Sequence, residues 1–82
     1  IAILKEYRNL GLGLQAIQQI ERYARNQINL HSIYAFVATS NRPSLNLFKK
    51  AEYNQVTSLC EWIYANGSYQ DVILFQKIFQ KK

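Results

Sequence analysis

The stretch YRNLGLGLQA, residues 7–16, decides how this chain is read. It holds two of the three glycines, Gly11 and Gly13, with Arg8 just upstream. Before it stands IAIL, residues 1–4, a short fully apolar run that reads as a buried strand, and KEYRN continues as a polar loop. After it, Leu14, Ile17, Ala24 and Ile28 recur near the helical period, with Ile20 and Tyr23 beside them. Gln15, Gln18, Gln19, Arg22 and Arg25 fill the other side, so residues 12–26 read as an amphipathic helix. The glycines therefore sit where a strand hands over to a helix. A helix start leaves its first N–H groups unpaired and carries partial positive charge. Glycine at that point lets an anion approach the backbone closely.

Working outward, SIYAFVA at residues 32–38 is β-branched and aromatic on both faces, the composition of a central strand. Strand, helix and strand in under 40 residues form a βαβ unit, whose two strands are expected to be parallel. Pro43 suits a first helical turn, and Leu47, Phe48 and Ala51 give one apolar face, so residues 43–52 read as a short helix. Residues 56–64 and 72–79 read as strands. Asn66-Gly67 between them is a strong turn signal, which predicts an antiparallel hairpin. The expected fold class is α/β with a mixed sheet, in the order β-α-β-α-β-β. No repeat or linker divides the 82 residues, so they form one structural unit.

Three readings of the glycines follow from the residues alone. GLGLQA fits the dinucleotide pattern G-x-G-x-x-A. That pattern needs an acid about 20 residues on, and residues 27–46 hold neither Asp nor Glu. The polar-rich residues 5–10 also separate the glycines too far from the strand. A phosphate loop of the G-x-x-x-x-G-K type needs a Lys that follows neither glycine. A helix entry without any ligand is the third reading.

Two further blocks shift the balance. YRNLGLG resembles the R/Q-x-x-G-x-G/A signature of the GNAT superfamily of N-acetyltransferases, through Arg8, Gly11 and Gly13. NRPSLNLFKKAEY resembles the family pattern N-x-x-[AS]-x-x-L-Y-x-K-x-G-F, through Asn41, Ser44, Leu47, Lys50 and Tyr53. NGSYQDVILF is similar to the G-x-Y-x-D ending common in the spermidine and ribosomal-protein acetyltransferase branches. The resemblance begins one strand before the glycines. It implies that residues 1–82 are the C-terminal part of a single acetyltransferase domain, a piece of something longer.

The resemblance implies acetyl transfer from acetyl-CoA, as co-substrate, to a primary amine: a polyamine, a protein N-terminus or an amino sugar. The alternative is a CoA-binding or interaction module without catalysis. By the same resemblance Arg8, Asn9, Leu10, Gly11, Leu12, Gly13 and Leu14 take the pyrophosphate. The backbone around Ile3 pairs with the pantetheine arm, and the helix from Asn41 to Lys50 lies along it, with Ser44 on the motif and Lys50 set to meet a phosphate. Asn41 also suits a helix cap beside Pro43. No catalytic residue is assigned, because Phe48 stands where family members often carry the Tyr that protonates the leaving thiolate. Glu52 replaces a usual glycine after this helix, which predicts an altered turn or strain there.

Composition bounds the rest. The net charge is +5, much of it at Lys77, Lys81 and Lys82, which read as a solvated tail. No element interleaves basic and aromatic residues in a cluster, so no nucleic acid is expected as partner. No apolar run approaches the ~20 residues of a membrane span, and no membrane partner is expected. One Cys and one His exclude a zinc site of those residue types, so no metal is expected. A single cysteine fits a reducing cytoplasmic setting. Cys60 is expected to be buried and inert, His31 to lie at the surface, and Glu61 to face solvent. Tyr69 and Asp71 are expected to organise the hairpin. A half-sheet leaves an unpaired edge, through which copies of the chain can associate as a homo-oligomer.

Overall fold

The computed structural model describes residues 2–6, 13–65 and 67–79. Its elements are β1 (Ala2–Glu6), α1 (Leu14–Asn26), β2 (Ser32–Ala38), α2 (Arg42–Lys50), β3 (Asn54–Ala65) and β4 (Ser68–Ile78). They form a four-stranded sheet in the order β1-β2-β4-β3. β1 and β2 run parallel, from Ala2 opposite Ile33 to Glu6 opposite Val37. β4 is antiparallel to both β2 and β3. This is the mixed sheet and element order expected from the sequence.

The boundaries differ for local reasons. β1 runs on to Glu6 rather than stopping at Leu4, because Lys5 and Glu6 pair with Phe36 and Val37 of β2. Polar side chains are tolerated there because the ladder bonds are made by the backbone. β4 begins at Ser68 rather than Val72, since Ala65 pairs directly with Ser68 across a two-residue turn. Gly67 takes the left-handed backbone (φ 82°) that such a turn asks for, while Asn66 lies outside the described residues. Tyr64 and Tyr69 face each other across this end with centroids 5.2 Å apart. β3 likewise starts two residues early, at Asn54, opposite Gln76.

Both helices supply side chains to one core. Ala35 and Phe75 are register partners on β2 and β4, and Ile33 and Val37 stand two residues either side of Ala35 on the same face. Ile17 and Ala24 of α1, Phe48 of α2 and its C-cap Ala51 close over them. Phe48 stacks on Phe75 with centroids 5.7 Å apart. Burying one such aromatic contributes roughly 1.5–3 kcal/mol.

The end of α2 carries a backbone feature. The Glu52 N–H donates to the Lys49 carbonyl and the Tyr53 N–H to the Phe48 carbonyl, each at 3.0 Å. With Glu52 left-handed (φ 69°), this is the Schellman arrangement that closes a helix. The strain expected from the absent glycine is therefore located at Glu52.

Candidate functional site

α1 begins directly after Gly13. Gly13 precedes α1 with an extended backbone (φ −112°, ψ 173°), and its carbonyl accepts the Ile17 N–H at 3.1 Å. Among the described residues no side chain caps this end, and no acid stands in its first turn. An extended φ suits any residue, and a Cβ built on Gly13 would meet no described atom within 4 Å. Neither backbone nor packing among the described residues asks for glycine there. Arg8, Asn9, Leu10, Gly11 and Leu12 lie outside the described residues.

α2 supplies the facing wall. Leu14 of α1 and Pro43, Asn46, Leu47 and Lys50 of α2 line a cleft of about 320 Å³. The four α2 residues stand at i, i+3, i+4 and i+7, one face of a helix. The sequence motif names Lys50 for this wall. The same spacing marks Pro43, Asn46 and Leu47, although an apolar residue such as Leu47 reads first as core. Leu47 is in fact half-buried, while Phe48 beside it is wholly buried. Leu14 and Lys50 also border a second hollow of about 250 Å³, with Gln18, Glu21, Ala51, Glu52 and Lys77.

Other expected residues fall elsewhere. Asn41 and Ser44 are buried, and the Asn41 Oδ1 accepts the Ser44 N–H at 3.4 Å, the helix cap expected of Asn41. Ile3 is 55% exposed. With Lys5, Phe36 and Trp62 it borders a hollow of about 250 Å³. Its register partner Tyr34 alternates with the core residues Ile33 and Ala35, which puts Ile3 on the sheet face away from the helices. β1 stands at the edge of the sheet, so its outer backbone groups pair with no described strand.

β3 corrects one expectation. Cys60 is exposed, not buried, because β3 is the other edge strand and most of its side chains face solvent. The Asp71 carboxylate pushes its thiol upward first, followed by desolvation and by Glu61. Asp71 organises the strand pair as expected: its Oδ1 accepts the Glu61 N–H at 2.8 Å, where Glu61 is left-handed (φ 47°) within a register shift. Glu61, Tyr69 and His31 are exposed. Tyr53 is buried with Phe48, and its phenol is held far above the usual range, first by burial and then by the Glu21 carboxylate. The phenol therefore keeps its proton near neutral pH.

The sequence model of the Acetyltransferase (GNAT) family matches residues 1–53, which carry β1, α1, β2 and α2. The chain belongs to this family. Among GNAT relatives, an N-alpha-acetyltransferase of Sulfurisphaera tokodaii is 36% identical over 67 residues, 82% of this chain and 40% of the relative. A spermidine N(1)-acetyltransferase of Vibrio cholerae is 32% identical over 72 residues, 88% of this chain and 42% of the relative. The solved spermidine N-acetyltransferase of Vibrio cholerae, in complex with CoA and spermine, superposes with a TM-score of 0.78 at 28% identity. That match covers 87% of this chain and 42% of the other. The GNAT chain described here thus spans about 40% of the length of the curated relatives it matches. Among the described residues, no helix is long and apolar enough to cross a membrane, and no cluster of three metal-ligating side chains forms.

Proposed function

We propose that this chain is the C-terminal, CoA-binding part of a single GNAT domain. In the whole protein that domain moves an acetyl group from acetyl-CoA to a primary amine. The observation that carries this reading is the start of α1 at Gly13, uncapped among the described residues and without an acid in its first turn, facing α2 across the cleft of about 320 Å³. Unpaired N–H groups and the positive end of a 13-residue helix suit a pyrophosphate. Arg8, Asn9, Leu10, Gly11 and Leu12 complete that cradle with Gly13 and Leu14. Lys50 meets a phosphate at the far wall, and the β1 backbone near Ile3 bonds the pantetheine arm. Asn41 and Ser44 fix the start of α2 from inside.

The chemistry asked of the domain is an addition and a collapse. The neutral amine nitrogen attacks the thioester carbonyl, a C–N bond forms, the C–S bond breaks with its electron pair leaving on the CoA sulfur, and the amine proton passes to a base or to water. Holding the two reactants together supplies much of the rate. A thiol has a pKa near 8.5, so the departing thiolate needs little help from an acid at neutral pH. Phe48, wholly buried and without a proton to give, is compatible with transfer on that ground. Phe48 is also what favours the second reading, CoA binding without catalysis. The acceptor is a polyamine, as the Vibrio cholerae relative's name states for that protein, a protein N-terminus or an amino sugar. The lone Cys60, exposed yet unpaired, fits a cytoplasmic setting. The 12-residue edge strand β3 supports self-association, and the solved Vibrio cholerae structure is dodecameric.

Calorimetry of the complete protein with acetyl-CoA tests the reading, and absence of binding overturns it. Acetyl transfer to a panel of polyamines, peptides and amino sugars separates the enzyme from the module. Binding without turnover on any amine selects the second reading.

A further inference from the structure

Lys77 stands in β4, register partner of Ile33, whose side chain is wholly buried in the core. A charge on that face costs stability unless it is paired. The Lys77 Nζ donates to both carboxylate oxygens of Glu21 at 3.3 Å and to the Ala51 carbonyl oxygen at 2.9 Å. It also lies 5.5 Å from the centre of the Tyr53 ring. Glu21 belongs to α1, and Ala51 is the C-cap of α2. One ammonium therefore joins the sheet to both helices.

We propose that Lys77 is a positioning residue for the acetyl-CoA cleft, tying α1 to the end of α2 and so setting the spacing of the two walls. This rests on the function proposed above. Leu14 and Glu21 are seven residues apart on α1, two turns along one face. Lys50 is the residue next to Ala51. Leu14 and Lys50 line both hollows between the helices, so the tie sits at one end of a groove whose other end is the proposed cofactor wall. Ile17 and Phe48 hold the helices down on the sheet by apolar packing, whereas the Glu21–Lys77–Ala51 contacts link α1 to the end of α2 through one β4 side chain. Packed helices can slide past one another without unpacking. Loss of the tie permits that shear and leaves the core intact. The Lys77 ammonium already has three oxygen acceptors, so its role is to orient the walls rather than to bind the ligand.

The test is steady-state kinetics on the complete protein, with Lys77→Met, Lys77→Arg and Glu21→Gln beside the parent. For Lys77→Met, KM for acetyl-CoA is expected to rise roughly fivefold to tenfold, with KM for the amine unchanged. Its kcat is expected to stay within about twofold. Lys77→Arg restores most of the affinity, since a guanidinium can reach the same acceptors, and Glu21→Gln falls between. If Lys77→Met does not fold, Glu21→Gln, which keeps shape and an acceptor oxygen, decides the matter. An unchanged KM for acetyl-CoA in a folded variant overturns the tie, as does a fall in kcat alone. Failure of the parent to bind acetyl-CoA overturns the proposed function and the tie with it, whereas parent binding with unaltered variants overturns the tie alone.

Discussion

Tyr53 meets Phe48 edge-on, with ring centroids 5.0 Å apart and planes at 83°. The two residues bracket the end of α2, and their contact is the apolar seal that accompanies a Schellman closure. That closure holds Glu52, between them, in the left-handed region (φ 69°). A side chain there costs ~1–2 kcal/mol, partly offset by the smaller unfolded-state entropy of a non-glycine residue. Glu52→Gly is expected to stabilise the complete protein by about 0.5–1 kcal/mol, read from urea midpoints at constant slope. A loss of stability would mean that the exposed Glu52 side chain makes a contact outweighing its strain.

Phe48 separates stability from catalysis. Truncating this wholly buried ring beside Phe75 and Tyr53 by Phe48→Ala is expected to cost about 3–5 kcal/mol in denaturant unfolding. Phe48→Tyr restores the family's usual residue and places a hydroxyl at a closed site, for a cost of about 1–3 kcal/mol if the hydroxyl finds no partner. Its kcat is expected to stay within about threefold of the parent at pH 8, because a thiolate leaves readily without an acid. A rise of about tenfold or more would show that transfer lacks a proton donor.

Gly13→Ala distinguishes a ligand cradle from a bare turn. The new Cβ meets no described atom within 4 Å and the backbone is extended, so stability is expected to change by less than about 1 kcal/mol. Acetyl-CoA affinity is expected to fall about tenfold, as the methyl keeps a pyrophosphate from the first N–H groups of α1. Calorimetry on both proteins gives the comparison. Equal affinities would place the pyrophosphate away from Gly13.

Cys60 reports on Asp71. The carboxylate raises the thiol's pKa, so at a given pH less thiolate is present than in a free cysteine, and alkylation is slower. Asp71→Asn removes the charge yet keeps an oxygen that can accept the Glu61 N–H. Iodoacetamide is then expected to react severalfold faster near pH 8, with the pH–rate curve displaced to lower pH. An unmoved curve would indicate that Asp71 does not act on the thiol.

Much of this mixed sheet is legible along the chain, because its cues are local. The period of Leu14, Ile17 and Ala24 marks a helix, the branched run at residues 32–38 marks a central strand, and Asn41 with Pro43 marks a helix start. Spacing could also have drawn the α2 wall of the cleft, since Pro43, Asn46, Leu47 and Lys50 share one helical face. Leu47 packs against the core and also lines the cleft, a second surface that an apolar side chain does not announce in the sequence.

Cys60 and Lys77 show what that reading lacks. Cys60 stands among strand formers and reads as buried, yet its strand lies at the sheet edge. Lys77 reads as part of a solvated basic tail, yet β4 is an inner strand, and pairing with β2 turns that lysine toward Glu21 and Ala51. Element types, the glycine-bearing helix start and the family motifs were determined by the sequence by itself, because each depends on residues within a few turns of one another. Strand order, and with it the exposure of Cys60 and the partners of Lys77, was decided only by tertiary structure. Those contacts join residues up to 56 positions apart, and which strand lies at the edge depends on the pairing of the whole sheet.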